Sequence, residues 1–223
     1  MNRHRVTLLV YGANTYLGRE VARFGRALGH RMVCVVDRAV PDLEEPWMHG
    51  VHWVTGGDPL AETWPDAPLT ALIYCDTALW DGGRHRFAQV LVERPRKLIA
   101  AAERRERRPR FILRSTVDQP LLPSGFTAYH RLAEQLLTES ALPGAIFRLP
   151  LLFGPDRPDS VAAMIVTRAL NRLPLITSSN PALMPMRVET AALAMLRAAL
   201  EPQIEGVLEP EAIATIGDVM IAQ

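Results

Sequence analysis

A doubly wound α/β fold, one parallel sheet covered by helices on both faces, is what this sequence predicts, and three observations predict it. Short apolar runs rich in β-branched residues alternate with helical or loop segments from Val6 to Leu149. The first of them, Val6 to Tyr11, is almost wholly apolar and does not alternate, which fits a strand buried on both faces. The stretch Val6 to Arg38 then reads as strand, glycine-containing turn, helix, second strand and a closing acid.

Within that unit, Gly12 and Gly18 bracket Ala13, Asn14, Thr15, Tyr16 and Leu17. Leu17, Val21, Phe24 and Leu28 recur at helical spacing until Gly29 and His30 stop the helix. The second strand is Met32 to Val36, and Asp37 ends it, 19 residues after Gly18. Such a unit suits a dinucleotide. Glycine lets the backbone approach a pyrophosphate, and the N–H groups at the start of the helix, with the positive end of its dipole, meet the anion. A carboxylate at the end of the second strand accepts hydrogen bonds from both ribose hydroxyls and repels a 2′-phosphate. Asp37 therefore favours NAD over NADP, while the neighbouring Arg38 softens the preference. Two glycines alone are a weak signal, and the order of elements around them carries the reading. The competing reading is a unit that keeps this shape without the ligand.

The 223 residues suffice for a single domain, 1–223, whose last part, about 150–223, forms a small embedded substrate-side lobe. With 25 basic and 24 acidic residues the formal charge is +1, so no overall field argues for nucleic acid or an anionic membrane. No stretch reaches the roughly 20 apolar residues of a membrane span. Met1 to Arg5 leads directly into the first strand without a signal-peptide pattern, and a cytoplasmic location is expected. Cys34 and Cys75 fall inside apolar strands, which predicts buried free thiols in a reducing compartment. The histidines show no metal-ligand spacing with them, so no metal is expected.

Beyond Asp37, Ala39 to His49 reads as a loop over the adenosine end and Val51 to Val54 as a third strand. Asp58 either caps the next helix or hydrogen-bonds the adenine amine. The fourth strand is Ala71 to Cys75, and the connection Asp76 to Arg84 lies at the carboxyl end of the sheet, where ligands sit in such folds. His85 to about Arg107 is helical, kinked or split at Pro95. Its basic end, Arg104 to Arg110, is either a solvated helix terminus or a contact for an anionic partner. Phe111 to Arg114 is the fifth strand, closed by Ser115 and Thr116; Thr127 to Ser140 is a helix and Ala145 to Leu149 the sixth strand. In the last third, Val161 to Leu170 and Glu189 to Leu200 read as helices, Leu173 to Ile176 as an extended piece, and Gly206 to Glu209 as a last strand.

The segments Val10 to Arg19, Val36 to Arg38, Gly57-Asp58, Ser115-Thr116, Ala133 to Leu137, Phe147 to Pro155 and Arg187 to Ala192 resemble the short-chain dehydrogenase/reductase superfamily. The likeness is to its extended and atypical branches, with their epimerase-like and NmrA-like members, and it covers nearly the whole chain. It implies a Rossmann-type fold, NAD as cofactor with NADP less favoured, and oxidoreductase or epimerase-like chemistry on a small carbonyl or sugar-type substrate. It also implies a homodimer built through the helices near 85–105 and 127–140. Cofactor contacts are then expected from Gly12, Asn14, Thr15, Tyr16, Leu17, Gly18, Asp37, Arg38 and Asp58.

Two departures stand out. The family's phosphate turn carries three glycines, and the middle one is Thr15 here. Its β-carbon crowds the backbone near a pyrophosphate, while its hydroxyl can donate a hydrogen bond to one. The family also works through a Tyr-x-x-x-Lys pair on the helix after the fifth strand, the tyrosine exchanging a proton with substrate and the lysine lowering its pKa. Counting back from Glu134 puts Phe126 at the tyrosine place and His130 at the lysine place, and phenylalanine has no proton to give. Tyr129, one step away, either replaces the tyrosine after a loop adjustment or packs as a half-buried ring. His130 either acts as acid or base near neutral pH or stands at the surface. Ser115 or Thr116 either polarises a substrate carbonyl or satisfies backbone groups at the strand end. Two functions compete: an NAD(P)-dependent enzyme, and a non-catalytic dinucleotide-sensing regulator or assembly subunit with a protein partner. Phe126, His130, Thr15 and the arginine run point to the second.

Overall fold

The computed structural model describes residues 5–37, 45–56, 64–65, 68–77, 83–118, 125–154 and 184–221. Its opening unit is the expected one: β1 (Thr7–Tyr11), α1 (Tyr16–Ala27) and β2 (Arg31–Val36). Pro46, with its fixed φ, starts a 3₁₀ turn (Pro46–Gly50) that leads into β3 (His52–Thr55), and β4 (Leu69–Tyr74) follows. One long helical stretch comes next in three pieces, α2 (Gly83–Ala88), a π turn (Gln89–Glu93) and α3 (Arg94–Glu103). Pro95 has no N–H to return to the carbonyl one turn back. The ladder widens there, the Arg94 N–H reaching back to the Gln89 carbonyl, and the helix is split where the proline predicts.

The remaining elements are β5 (Arg110–Thr116), α4 (Phe126–Thr138), β6 (Gly144–Leu149), a small parallel pair β7 (Leu152–Phe153) and β8 (Met186–Arg187), α5 (Val188–Leu200), β9 (Gly206–Leu208) and α6 (Pro210–Ile221). The main sheet runs in the order β3-β2-β1-β4-β5-β6-β9, with parallel pairing throughout. Along its strands successive side chains enter opposite layers. Leu8, Val10, Cys34, Ile73 and Phe147 pack with α1 and α5 on one face. Leu9, Tyr11, Val35, Leu72 and Leu113 pack with Leu98 and Ala102 of α3 and Leu137 of α4 on the other. This two-sided burial is why the strands read as continuous apolar runs.

The expected helix and extended piece at 161–176 lie outside the described residues. What is described of the last third belongs to the main body: α5 shares the core with α1, and β9 pairs with β6 at the sheet edge. Arg110, 9% exposed, fastens this region by donating from Nε to the Ala198 carbonyl at 2.9 Å and from Nη2 to the Ile204 carbonyl at 2.6 Å, which caps the end of α5. Helix α6 is an addition to the elements expected from sequence. Cys34 and Cys75 are free and buried, and burial pushes the Cys75 thiol up to about 12. Among the described residues no helix is long and apolar enough to cross a membrane.

Candidate functional site

The strand order reverses between β1 and β4, because β2 and β3 lie on one side of β1 and β4, β5 and β6 on the other. In open α/β sheets, ligands bind in the crevice outside the strand ends at such a reversal. The end of β1 is drawn tightly to the end of β4: the Cys75 N–H donates to the Tyr11 carbonyl at 2.8 Å. Gly12 follows with φ +77°, and a Cβ on it would stand 2.6 Å from the Asp76 nitrogen. A Cβ on Gly18, in the first turn of α1, would meet the Gly12 oxygen at 2.2 Å. Both glycines are therefore needed for the helix start to sit this close to the strand ends.

Thr15 caps α1. Its Oγ1 accepts from the Gly18 N–H at 3.1 Å and donates to the Gly12 carbonyl at 2.7 Å, with the Cys75 carbonyl 3.2 Å away. The hydroxyl proton thus points into the protein, which corrects the expectation that it is aimed at a pyrophosphate. In place of a flexible glycine, the turn carries a helix cap that ties it to itself and to β4. Asn14 is exposed at the turn, Tyr16 is half-buried, and Leu17 is buried in the core.

Asp37 stands at the end of β2, as expected, and its side chain is 18% exposed. Its partner comes from far along the chain. Arg94 Nη1 donates to Asp37 Oδ2 at 2.8 Å and to Asp76 Oδ2 at 2.6 Å, so one guanidinium holds the acids that end β2 and β4. The π turn delivers Arg94 here. Its Val90 carbonyl accepts from the Tyr74 hydroxyl, Tyr74 stacks on Tyr11 at 5.6 Å, and the Arg94 guanidinium lies 5.9 Å from the Tyr11 ring. Burial is the largest influence on both charged partners. It pushes the Asp76 carboxyl up, together with the Asp37 charge and against Arg94; it opposes the Arg94 charge, yet the two carboxylates outweigh it and hold Arg94 firmly protonated. Asp76 Oδ1 accepts the Thr77 N–H at 2.8 Å, whereas Asp37 Oδ1 is buried without a hydrogen-bond partner among the described residues. Arg38 and Asp58 lie outside the described residues.

Sequence reasoning missed Arg94 and Asp76. Asp76 could have been found by the rule that found Asp37, an acid directly after a parallel strand. Arg94 carries no such mark, since it is one of several arginines in a helical stretch and only the π turn after Tyr74 sets its direction.

The positions expected to carry proton transfer are arranged differently. Phe126 is 1% exposed and His130 2% exposed, their rings packed edge to face at 4.7 Å. Phe87 from α2 packs edge to face on Phe126 at 5.3 Å and on Tyr129 at 6.2 Å, so Tyr129 takes the half-buried packing place. The expectations for His130, a surface position or a titration near neutrality, are both corrected. Burial first, then the charges of Arg114 and Arg131, push its pKa down to about 3. Ser115 is 1% exposed and donates its hydroxyl to the Glu134 carboxylate, which leaves it no proton for a substrate carbonyl. Thr116 points its hydroxyl at the Val117 and Leu149 carbonyls, 3.3 and 3.4 Å away, the strand-end role. Glu134 itself is gripped by Arg131 and by Arg148, whose Nη2 donates to Oε2 at 2.6 Å, and these bonds hold its carboxyl below the usual range against the opposing effect of burial.

No protein-family model and no curated protein matches this sequence. Solved structures do. A Bacillus halodurans protein described as an NAD-dependent epimerase/dehydratase is 18% identical, with a TM-score of 0.69 over 96% of this chain and 99% of that one. The Bordetella bronchiseptica enzyme WbmH, solved with NAD+, is 16% identical, with a TM-score of 0.65 over 98% of this chain and 81% of that one. A human epimerase family protein, solved with NADPH, is 16% identical, with a TM-score of 0.60 over 91% of this chain and 73% of that one. With its seven-stranded parallel sheet, its strand reversal and its glycine turn, this chain has the Rossmann-type fold of the short-chain dehydrogenase/reductases and their epimerase relatives.

Proposed function

We propose that this chain binds NAD(H) in the crevice at the ends of β1, β2 and β4, as an NAD(P)-binding Rossmann protein of oxidoreductase or epimerase-like type. One observation carries the reading: Asp37 Oδ1 is buried without a partner among the described residues, at the end of β2, the position whose carboxylate accepts ribose hydroxyls in dinucleotide-binding folds of this kind. Gly12, Asn14, Thr15, Tyr16, Leu17 and Gly18 would supply the turn against the pyrophosphate, and Asp37 would accept the ribose hydroxyls, with Arg38 and Asp58 as further expected contacts. NAD is favoured over NADP because the formal charges of Asp37, Asp76 and Arg94 leave one negative charge at the ribose. NAD+ in WbmH supports the cofactor class.

The bound nicotinamide would supply hydride transfer. This chain's own groups supply no Tyr-Lys pair: Phe126 has no proton, and His130 is neutral and buried with its ring against Phe126. That packing favours the second reading, a dinucleotide-sensing regulator or assembly subunit. If the chain turns over a small carbonyl or sugar-type substrate, the proton must come from a group other than these two. A homodimer through the helical stretch from α2 to α3 and through α4 belongs to the same proposal; Leu132 on α4 is 48% exposed.

The test is a calorimetric titration of the native chain and of Asp37→Ala with NADH and NADPH, followed by incubation of the NADH complex with a panel of small aldehydes, ketones and nucleotide sugars. Binding of NADH that weakens about tenfold in Asp37→Ala supports the site. NADH consumption then selects the enzyme, and binding without turnover selects the sensor. No binding of either nucleotide up to millimolar concentration rejects the reading.

A further inference from the structure

The guanidinium beside Asp37 has a consequence for nucleotide choice, given the dinucleotide site proposed above. Arg94 is 12% exposed, Asp37 18% and Asp76 9%, so the three side chains form a largely buried cluster outside the strand ends. Within it Asp76 is saturated, with Arg94 on Oδ2 and the Thr77 N–H on Oδ1. Asp37 is not: Arg94 holds Oδ2 and leaves Oδ1 unpartnered among the described residues. Besides Asp37, the guanidinium is held by the Asp76 carboxylate at 2.6 Å and lies 5.9 Å from the Tyr11 ring. Removing the Asp37 carboxylate therefore leaves a placed cation with a vacant side toward the ribose. A guanidinium matches phosphate geometry with paired N–H donors, and a partly dehydrated one does so more strongly than a solvated lysine.

We infer that Arg94 is the specificity-determining residue of this site: engaged by Asp37 it turns Oδ1 toward an unphosphorylated ribose, and released from Asp37 it anchors a 2′-phosphate. Arg94 is thus a positioning residue in the native chain and a latent phosphate ligand. The feature is set by a residue 57 positions beyond Asp37, in the helix after β4, and not only by the residues that follow β2.

The test is a titration with NADH and NADPH of the native chain, Asp37→Ser, and Asp37→Ser combined in turn with Arg94→Met, Arg94→Lys and Arg38→Met, each checked for its folded circular dichroism spectrum. Serine keeps a hydroxyl for the ribose and removes the repelling charge. Asp37→Ser should bind NADPH about tenfold tighter than the native chain does. Adding Arg94→Met should abolish that gain, Arg94→Lys should cut it several-fold because a point charge replaces the fork, and Arg38→Met should reduce it by less than Arg94→Met does. If Arg94→Met does not fold, the lysine variant decides. A native chain that binds NADH while Asp37→Ser gains nothing for NADPH overturns the inference and leaves the dinucleotide site standing. A gain that survives both changes at Arg94 and vanishes with Arg38→Met also overturns it, and a native chain that binds neither nucleotide overturns the site as well.

Discussion

Two carboxylates, the half-buried Asp37 at the end of β2 and the buried Glu134 on α4, are each held by arginine, and they differ in what is left over. Glu134 accepts from Ser115, from Arg131 on Oε1 and from Arg148 on both oxygens. Asp37 accepts from Arg94 on one oxygen, and the other has no partner among the described residues. A saturated carboxylate fastens elements together, here α4 to β5 and β6. A half-saturated one, at a strand end beside a glycine turn, keeps acceptor capacity that folding alone does not use. The contrast separates the two halves of the crevice: in the reading proposed above, the nucleotide side keeps an acceptor for a ligand, while the positions expected to carry proton transfer are filled with packing and structural ion pairs.

The largest effect that would break this comparison comes from Gly18→Ala. The added Cβ meets backbone oxygen at 2.2 Å, with no flexible side chain to yield, so α1 must lift off the turn. Thermal unfolding should show a loss of about 3 kcal/mol, and the nucleotide site should go with it. Next is Glu134→Gln, which leaves Arg131 and Arg148 without their shared anion and should cost about 2 kcal/mol in urea unfolding while NADH binding persists. Its sign with pH follows from the lowered carboxyl: the stabilisation is complete above the ordinary value of 4.5 and is lost as pH falls through the lower folded value. A nucleotide affinity that falls in step with stability in Glu134→Gln would erase the division between the two halves.

His130 gives an effect that is small near neutral pH and grows as the pH falls. Its folded pKa of about 3 lies below the ordinary 6.5, so the unfolded chain takes up the proton first. Stability should be full above 6.5 and fall toward pH 3 by up to about 1.4 kcal/mol per pH unit. His130→Leu should flatten that slope, and an unchanged slope would mean that the imidazole is solvated after all. Smallest is Thr15→Ala, which removes the cap of α1 and should cost about 1 kcal/mol in thermal unfolding.

The parts legible in the sequence were those written in short range. Continuous apolar strands, Gly12 and Gly18, Asp37 at a strand end and Pro95 inside a helix each act through their immediate neighbours, and each appears where the pattern put it. The bond network was not legible. Thr15 turns its hydroxyl inward because Gly12 and Cys75 carbonyls converge on it, and Cys75 is 60 residues away. His130 is buried with its ring against Phe126, which itself packs with Phe87, Val90 and Leu91 of α2 and the π turn, and a helical repeat on α4 alone did not reveal that cluster. Arg94 reaches Asp37 only because the π turn redirects it, a shift of register that no local pattern announces.

The most direct test of the central claim, that the half-saturated carboxylate is the one that meets the ligand, is a crystal structure of the chain with ADP-ribose, the part of NAD that carries the adenosine ribose. The expected result is a ribose hydroxyl donating to Asp37 Oδ1, with Arg94 still on Oδ2 and on Asp76. Asp37 Oδ1 occupied by another protein group such as Arg38, with the nucleotide bound away from the β2 end or absent, would contradict it.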